Sequence, residues 1–123
     1  MKRNTCGVLV GLTLTCVAGC SSGSTGPADW SVRSISGSTV NIQVDIGSSS
    51  CDSFRKIEVH EKQGSVDIGA IVHHSGADSC TLDLVTMNRS VRLGHPLGTR
   101  QLTGCRPQGR TPATTDCRKT HPY

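Results

Sequence analysis

The chain is poor in aromatic residues: Trp30, Phe54 and Tyr123 are the only three among 123. Proteins that read bases or sugar rings by stacking lay them on aromatic faces, so such platforms are not expected here. Charge of one sign is also scarce. There are 13 Lys and Arg against 9 Asp and Glu, a formal net charge of +4. Two of those 13, Lys2 and Arg3, precede a long uncharged run, and setting them aside leaves a net of +2. Nucleic-acid binders show a clustered basic face. None is visible, and no nucleic-acid partner is expected.

Catalytic and cofactor signatures are missing as well. The chain has no G-x-S-x-G elbow, no P-loop or dinucleotide fingerprint, and no C-x-x-C pair. Glu58 and Glu61 stand three apart in an extended run and so face opposite sides. They do not form the carboxylate pair that acid–base chemistry uses. The reading is of a non-enzymatic chain without a cofactor. Helical periodicity sustained over three turns is also absent.

What is present begins at the N-terminus. Lys2-Arg3 is followed by residues 5–19 without a charge. A basic start, an apolar stretch and small residues form the grammar of an export signal. About 15 residues are too few to cross a hydrocarbon core of about 30 Å as a helix. The segment Val17-Ala18-Gly19-Cys20 resembles a lipobox, the processing site of bacterial lipoproteins, with Val17 where leucine is usual. The resemblance implies cleavage between Gly19 and Cys20 and a diacylglyceryl thioether on the Cys20 sulfur. Two acyl chains hold a protein on a membrane far more stably than one. The expected organisation is a signal at 1–19, a flexible tether at 20–29, a β domain at 30–103 and a flexible Cys-containing tail at 104–123. The tether rests on its Ser/Gly/Thr composition, and the tail on its near lack of apolar residues.

Between tether and tail the apolar residues alternate. Val40, Ile42, Val44 and Ile46 mark a half-buried strand over 39–46. A second strand is expected over 55–61 and a third over 65–73. They are joined by a hairpin turn at Lys62-Gln63-Gly64 with glycine in a special conformation. Residues 81–85 alternate weakly, 90–93 read as a strand, and 99–103 as a last edge strand. Short alternating runs separated by turn residues predict a small all-β fold, an antiparallel β-sandwich.

Four cysteines follow Cys20: Cys51, Cys80, Cys105 and Cys117. An even count in an exported chain reads as disulfides, and four cysteines allow three pairings. Cys51 and Cys80 each sit at a loop edge flanking the central hairpin, which favours their pairing as a core disulfide. Cys105 and Cys117 are then the remaining pair. Their spacings match no zinc knuckle or ribbon. An alternative site, for copper or zinc, would draw on His60, His73 and His74. Adjacent His73 and His74 point to opposite faces of a strand, so both cannot easily hold one ion.

The run from Val91 to Arg100 reads V-x-L-x-x-P-L-G-x-R. With Cys51, Ile57-Glu58-Val59-His60-Glu61 and Cys80 ahead of it, it resembles a segment common in small uncharacterised actinobacterial lipoproteins. The likeness covers about residues 40–102. It implies a compact β domain with one disulfide on the extracytoplasmic face of the cell membrane. The expected role is that of a membrane-anchored interaction module for an envelope protein or cell-wall component. The alternative is a metal-handling lipoprotein. Within the motif, Pro96-Leu97-Gly98 suggests a type II-like turn with Leu97 near the bend, and Arg100 is read as solvated in preference to a pair with Asp45 or Glu61, since exposed pairs contribute little.

Overall fold

The computed structural model describes residues 23–106 and 116–119. Gly19, Cys20 and the whole signal lie outside the described residues, as do 107–115 and 120–123. The fold is all-β, two sheets packed face to face. Its strands are β1 (Ser24–Ala28), β2 (Trp30–Ser36), β3 (Thr39–Gly47), β4 (Asp52–Glu61), β5 (Ser65–His74), β6 (Val85–Arg92) and β7 (Gln101–Thr103).

One sheet is built on the β4–β5 hairpin, paired from Asp52 opposite His74 to Glu61 opposite Val66 with a one-residue register shift between Phe54 and Lys56. The other edge of β5 is shared end to end. β1 pairs antiparallel with Ala70–His74, and β7 pairs with Ser65–Asp67 in parallel. The second sheet has β3 in the middle, between β2 and β6. The two central strands carry the core. Val40, Ile42 and Val44 on β3 are wholly buried, as are Val66, Ile68 and Ala70 on β5, and Val72 nearly so. Their alternation with polar neighbours is the period of a strand with one face inward. The hairpin closes at 62–64 through a bond from the Lys62 amide to the Ser65 carbonyl. Gly64 is not among the glycines with positive φ, so the turn does not need glycine as the sequence suggested.

Trp30 fixes the two sheets to each other. Its ring is buried, and its indole N–H donates to the Ile68 carbonyl at 2.9 Å. Its backbone amide donates to the Cys105 carbonyl. One residue of the second sheet thus satisfies polar groups on two segments beyond it.

Three segments depart from expectation. Residues 24–28 were expected within a flexible tether, yet they form β1. Their composition has no strand pattern, but β5 offers an open edge, and pairing there overrides local preference. Pro27 is tolerated because an edge strand leaves one side free of ladder bonds. The second departure is β6, which starts at Val85 rather than at 90. Arg89 occupies an inward position opposite Ile42 and disguises the alternation. Its guanidinium carbon lies 4.5 Å above the centroid of the Phe54 ring, a cation–π contact between the two sheets. Residues 81–84 are not strand.

The third departure is the tail. Cys105 and Cys117 are buried in the core and joined by a disulfide. A short 3-10 turn, Cys117–Lys119, follows Asp116, whose side chain accepts from the Leu102 amide. Arg118 donates to the Gly98 and Arg100 carbonyls at 2.9 and 3.0 Å and pairs with Asp116. Burial raises the Asp116 carboxyl, but the Arg118 bonds outweigh it and hold the group below its ordinary value. The segment has too few apolar residues to order itself. One disulfide and one arginine tie it to the body.

The V-x-L-x-x-P-L-G-x-R motif is structural. Val91, Leu93 and Leu97 are buried. The turn is closed by the Arg100 amide donating to the Leu97 carbonyl, with Gly98 at φ +55° just after Leu97. Leu97 therefore opens the turn and points inward instead of sitting at the bend of a Pro-Leu-Gly turn. Arg100 is not solvated. Its guanidinium donates to the His95 and Pro96 carbonyls at 3.0 and 2.9 Å and pairs with Glu61 at 3.2 Å. Glu61 also accepts the Gly94 amide at 2.7 Å, which holds its carboxyl below the ordinary range. Arginine suits this position because one planar group serves several acceptors at once.

Candidate functional site

Polar side chains collect at the end of the sandwich where β5 finishes. Asp52 opens β4 directly opposite His74, the last residue of β5. The His74 Nδ1 lies 2.5 Å from Asp52 Oδ1. The other carboxylate oxygen accepts the Ser48 amide at 2.7 Å. The His74 bond first, and the Ser48 amide second, hold the Asp52 carboxyl below its ordinary value. A carboxyl depressed on folding stabilises above its unfolded pKa, and that share is lost as pH falls through the folded value. The stability difference between the parent and Asp52→Asn is therefore expected to shrink as pH falls below about 4. Urea unfolding at a series of pH values checks this.

Around this pair the β3–β4 loop and the loop 75–84 are clipped together. Cys51 and Cys80 form a disulfide with Cα atoms 5.7 Å apart. The Ser48 hydroxyl bonds Thr81 at 2.7 Å, and the Thr81 amide donates to the Ser50 hydroxyl at 2.9 Å. Asp83 accepts from the Ser49 amide and from the Thr81 hydroxyl. Sequence reasoning treated Ser48, Ser49 and Ser50 as a plain loop. The signal that would have found the lattice is their place beside Cys51, matched by Thr81 and Asp83 beside Cys80. Once that disulfide is drawn, the flanking residues must meet.

The three histidines of the metal alternative are not brought together. His60 pairs with Asp67, whereas His73 and His74 pair with Ser53 and Asp52. Seven positions along β5 separate Asp67 from His74, about 23 Å at strand spacing. His73 and His74 lie on opposite faces, and the His73 ring lies against Gly23. Among the described residues no group of three His, Cys, Asp or Glu is placed to hold a metal ion.

Two hollows flank this end and the second sheet. One, about 180 Å³, is bordered by Ala28, Asp29, Asp45, Gly47, His74 and Leu84. Burial, and then the nearby Asp29, push the Asp45 carboxyl up, against the opposing pull of Arg106. The other is a shallow groove of about 280 Å³ on the second sheet, bordered by Arg33, Ser34, Asn41, Asn88, Arg89 and Ser90. The outward positions of this sheet are polar, a consequence of the same alternation that buries Val40, Ile42 and Val44. Asn41 organises them across three strands. It donates to the Ser34 hydroxyl at 2.9 Å and accepts from the Ser90 hydroxyl at 2.5 Å. Such a face offers oriented hydroxyl and amide groups for hydrogen bonding to a partner.

No protein family, curated protein or solved structure matches this chain.

Proposed function

We propose that this chain is a lipid-anchored, non-enzymatic binding module on the extracytoplasmic face of the cell membrane, of the small actinobacterial lipoprotein kind. The observation that carries the reading is the position of Cys20 in Val17-Ala18-Gly19-Cys20, four residues before Ser24, where β1 begins. A lipid there would fix one end of the body at the bilayer. The polar face of the second sheet, with its Ser34–Asn41–Ser90 groove, would then run along the side of the module, open to an envelope protein or cell-wall component. Two disulfides fit an oxidising compartment. The lattice serine whose amide bonds Asp52, Ser48, has its hydroxyl in hydrogen bonds with the Thr81 and Ser50 hydroxyls, which favours a structural role for the cluster over nucleophilic catalysis.

Intact-mass measurement of the protein from membranes tests the anchor. A mature chain beginning at Cys20 with a diacylglyceryl mass is the expected result, and inhibition of the lipoprotein peptidase should leave a lipidated precursor. An unmodified thiol, or unchanged maturation under the inhibitor, would reject it. A photo-crosslinking residue at Asn88 should capture an envelope component that the same residue at Gln63, in the β4–β5 turn, does not. Equal capture at both positions would remove the sheet face from the proposal.

A further inference from the structure

We infer that the loop 75–84 is a membrane-docking element whose Leu82 and Leu84 enter the interfacial zone of the bilayer beneath the module. The inference rests on the lipid-anchor reading above and adds which end of the protein faces the lipid and what touches it.

The first observation is exposure. Leu82 is fully exposed at 105 % and Leu84 at 68 %, and Ile35, at 37 %, is the only other large exposed apolar residue described. Leucine is among the residue types most often buried, and here two exposed leucines stand two positions apart in one loop. The second is that the loop is fixed. Cys80 is bonded to Cys51, Thr81 to Ser50, and Asp83 to Ser49. Leu82 stands between two of those anchor points, so its exposure is held in place by the surrounding bonds.

The third observation is location. Gly23 lies against His73 and His74, and Ser75, which opens the loop, donates its amide to Cys51. The start of the described chain and the leucine loop therefore share one end of the sandwich. Three residues reach at most about 11 Å, so acyl chains on Cys20 would hold this end close to the membrane. The opposite end carries Lys62, Gln63 and Gly64, about 30 Å away along the ten residues of β5.

Charge does not drive the contact. The carboxylates at this end are Asp29, Asp45, Asp52, Asp78 and Asp83, faced by His73, His74 and Arg106. Asp52 and Asp83 are already bonded to His74 and to Ser49 and Thr81. The attraction is apolar, as for interfacial anchors that act beside a lipid chain.

The test uses the mature chain, residues 20–123, coupled through the Cys20 thiol to a maleimide phospholipid in phosphatidylcholine vesicles. The other four cysteines are in disulfides. Variants L82W and Q63W are compared in vesicles with and without brominated acyl chains, and the buried Trp30 signal is taken from the parent protein. The L82W indole should shift to the blue and lose most of its emission to bromine, while Q63W keeps its own. Equal emission of L82W in both vesicle types, or equal quenching of Q63W, would overturn the inference. Because the lipid is attached chemically, this result does not depend on whether the cell lipidates Cys20. The native mass measurement decides that separately.

Discussion

Replacing Trp30 by alanine is expected to lower the free energy of unfolding by about 3–5 kcal/mol, the range for removing a buried tryptophan. Small domains are stable by only about 5–15 kcal/mol in total, so the variant should be largely unfolded at modest urea. The size of the effect has two sources. The ring is 3 % exposed and fills the space between the sheets, in a chain with few other large side chains. Its loss also leaves the Ile68 carbonyl, which accepts the indole N–H at 2.9 Å, buried without that donor. Trp30→Phe helps to separate the two, because it keeps an aromatic ring and most of the volume while removing the donor. Its expected cost is about 1–3 kcal/mol. Urea unfolding of both variants gives the numbers. A change under about 1 kcal/mol for alanine, well below the usual cost of such a cavity, would show that the sheets are held elsewhere.

The double variant Cys51→Ser, Cys80→Ser is expected to lose about 3–4 kcal/mol, the chain-entropy value for a loop of this size. The bonded residues are 29 apart, so the unfolded chain regains much freedom when the link is removed. Both cysteines are replaced so that no lone thiol remains. The loss should be local before it is global. Without the disulfide, only hydrogen bonds hold the loop 75–84, from Ser48 and Ser50 to Thr81, from Ser49 to Asp83 and from Ser75 to Cys51, and brief proteolysis should cut there while the hairpin remains folded. A variant with parental melting temperature and protease resistance would show that the hydroxyl lattice suffices. The Cys105–Cys117 disulfide is present in both proteins, so the comparison reports on the Cys51–Cys80 link.

The β4–β5 hairpin was readable because its evidence is local. Val66, Ile68, Ala70 and Val72 alternate with Asp67, Gly69 and Ile71, and a one-residue slip would turn that set to solvent. The pairing of Cys51 with Cys80 followed from their places beside the same hairpin. β1 was not readable, because Ser24–Ala28 is a strand only in the presence of the β5 edge. The ordering of Cys105 and Cys117 was hidden for a similar reason: the residues between them carry almost no apolar signal, and their burial depends on Trp30 and Leu102 and on the Gly98 and Arg100 carbonyls that hold Arg118. Arg100 was misjudged as solvated because its acceptors at His95, Pro96 and Glu61 converge only when the β6–β7 connection folds over the hairpin.

For the candidate site the division is sharper. His73 and His74 drew attention as neighbours in sequence, but register decided their fates. It placed His74 on Asp52, turned His73 to the other face, and left His60 near the far end of the hairpin.

By itself, then, the sequence determined the β class and the hairpin, since both depend on alternation within a few residues, and it favoured the Cys51–Cys80 pairing among three. Tertiary structure alone decided which edges are closed, which histidine meets which carboxylate, how the tail is tied down and where two leucines stand exposed. Those outcomes depend on contacts between residues far apart in the chain, and no pattern within a short window carries that information.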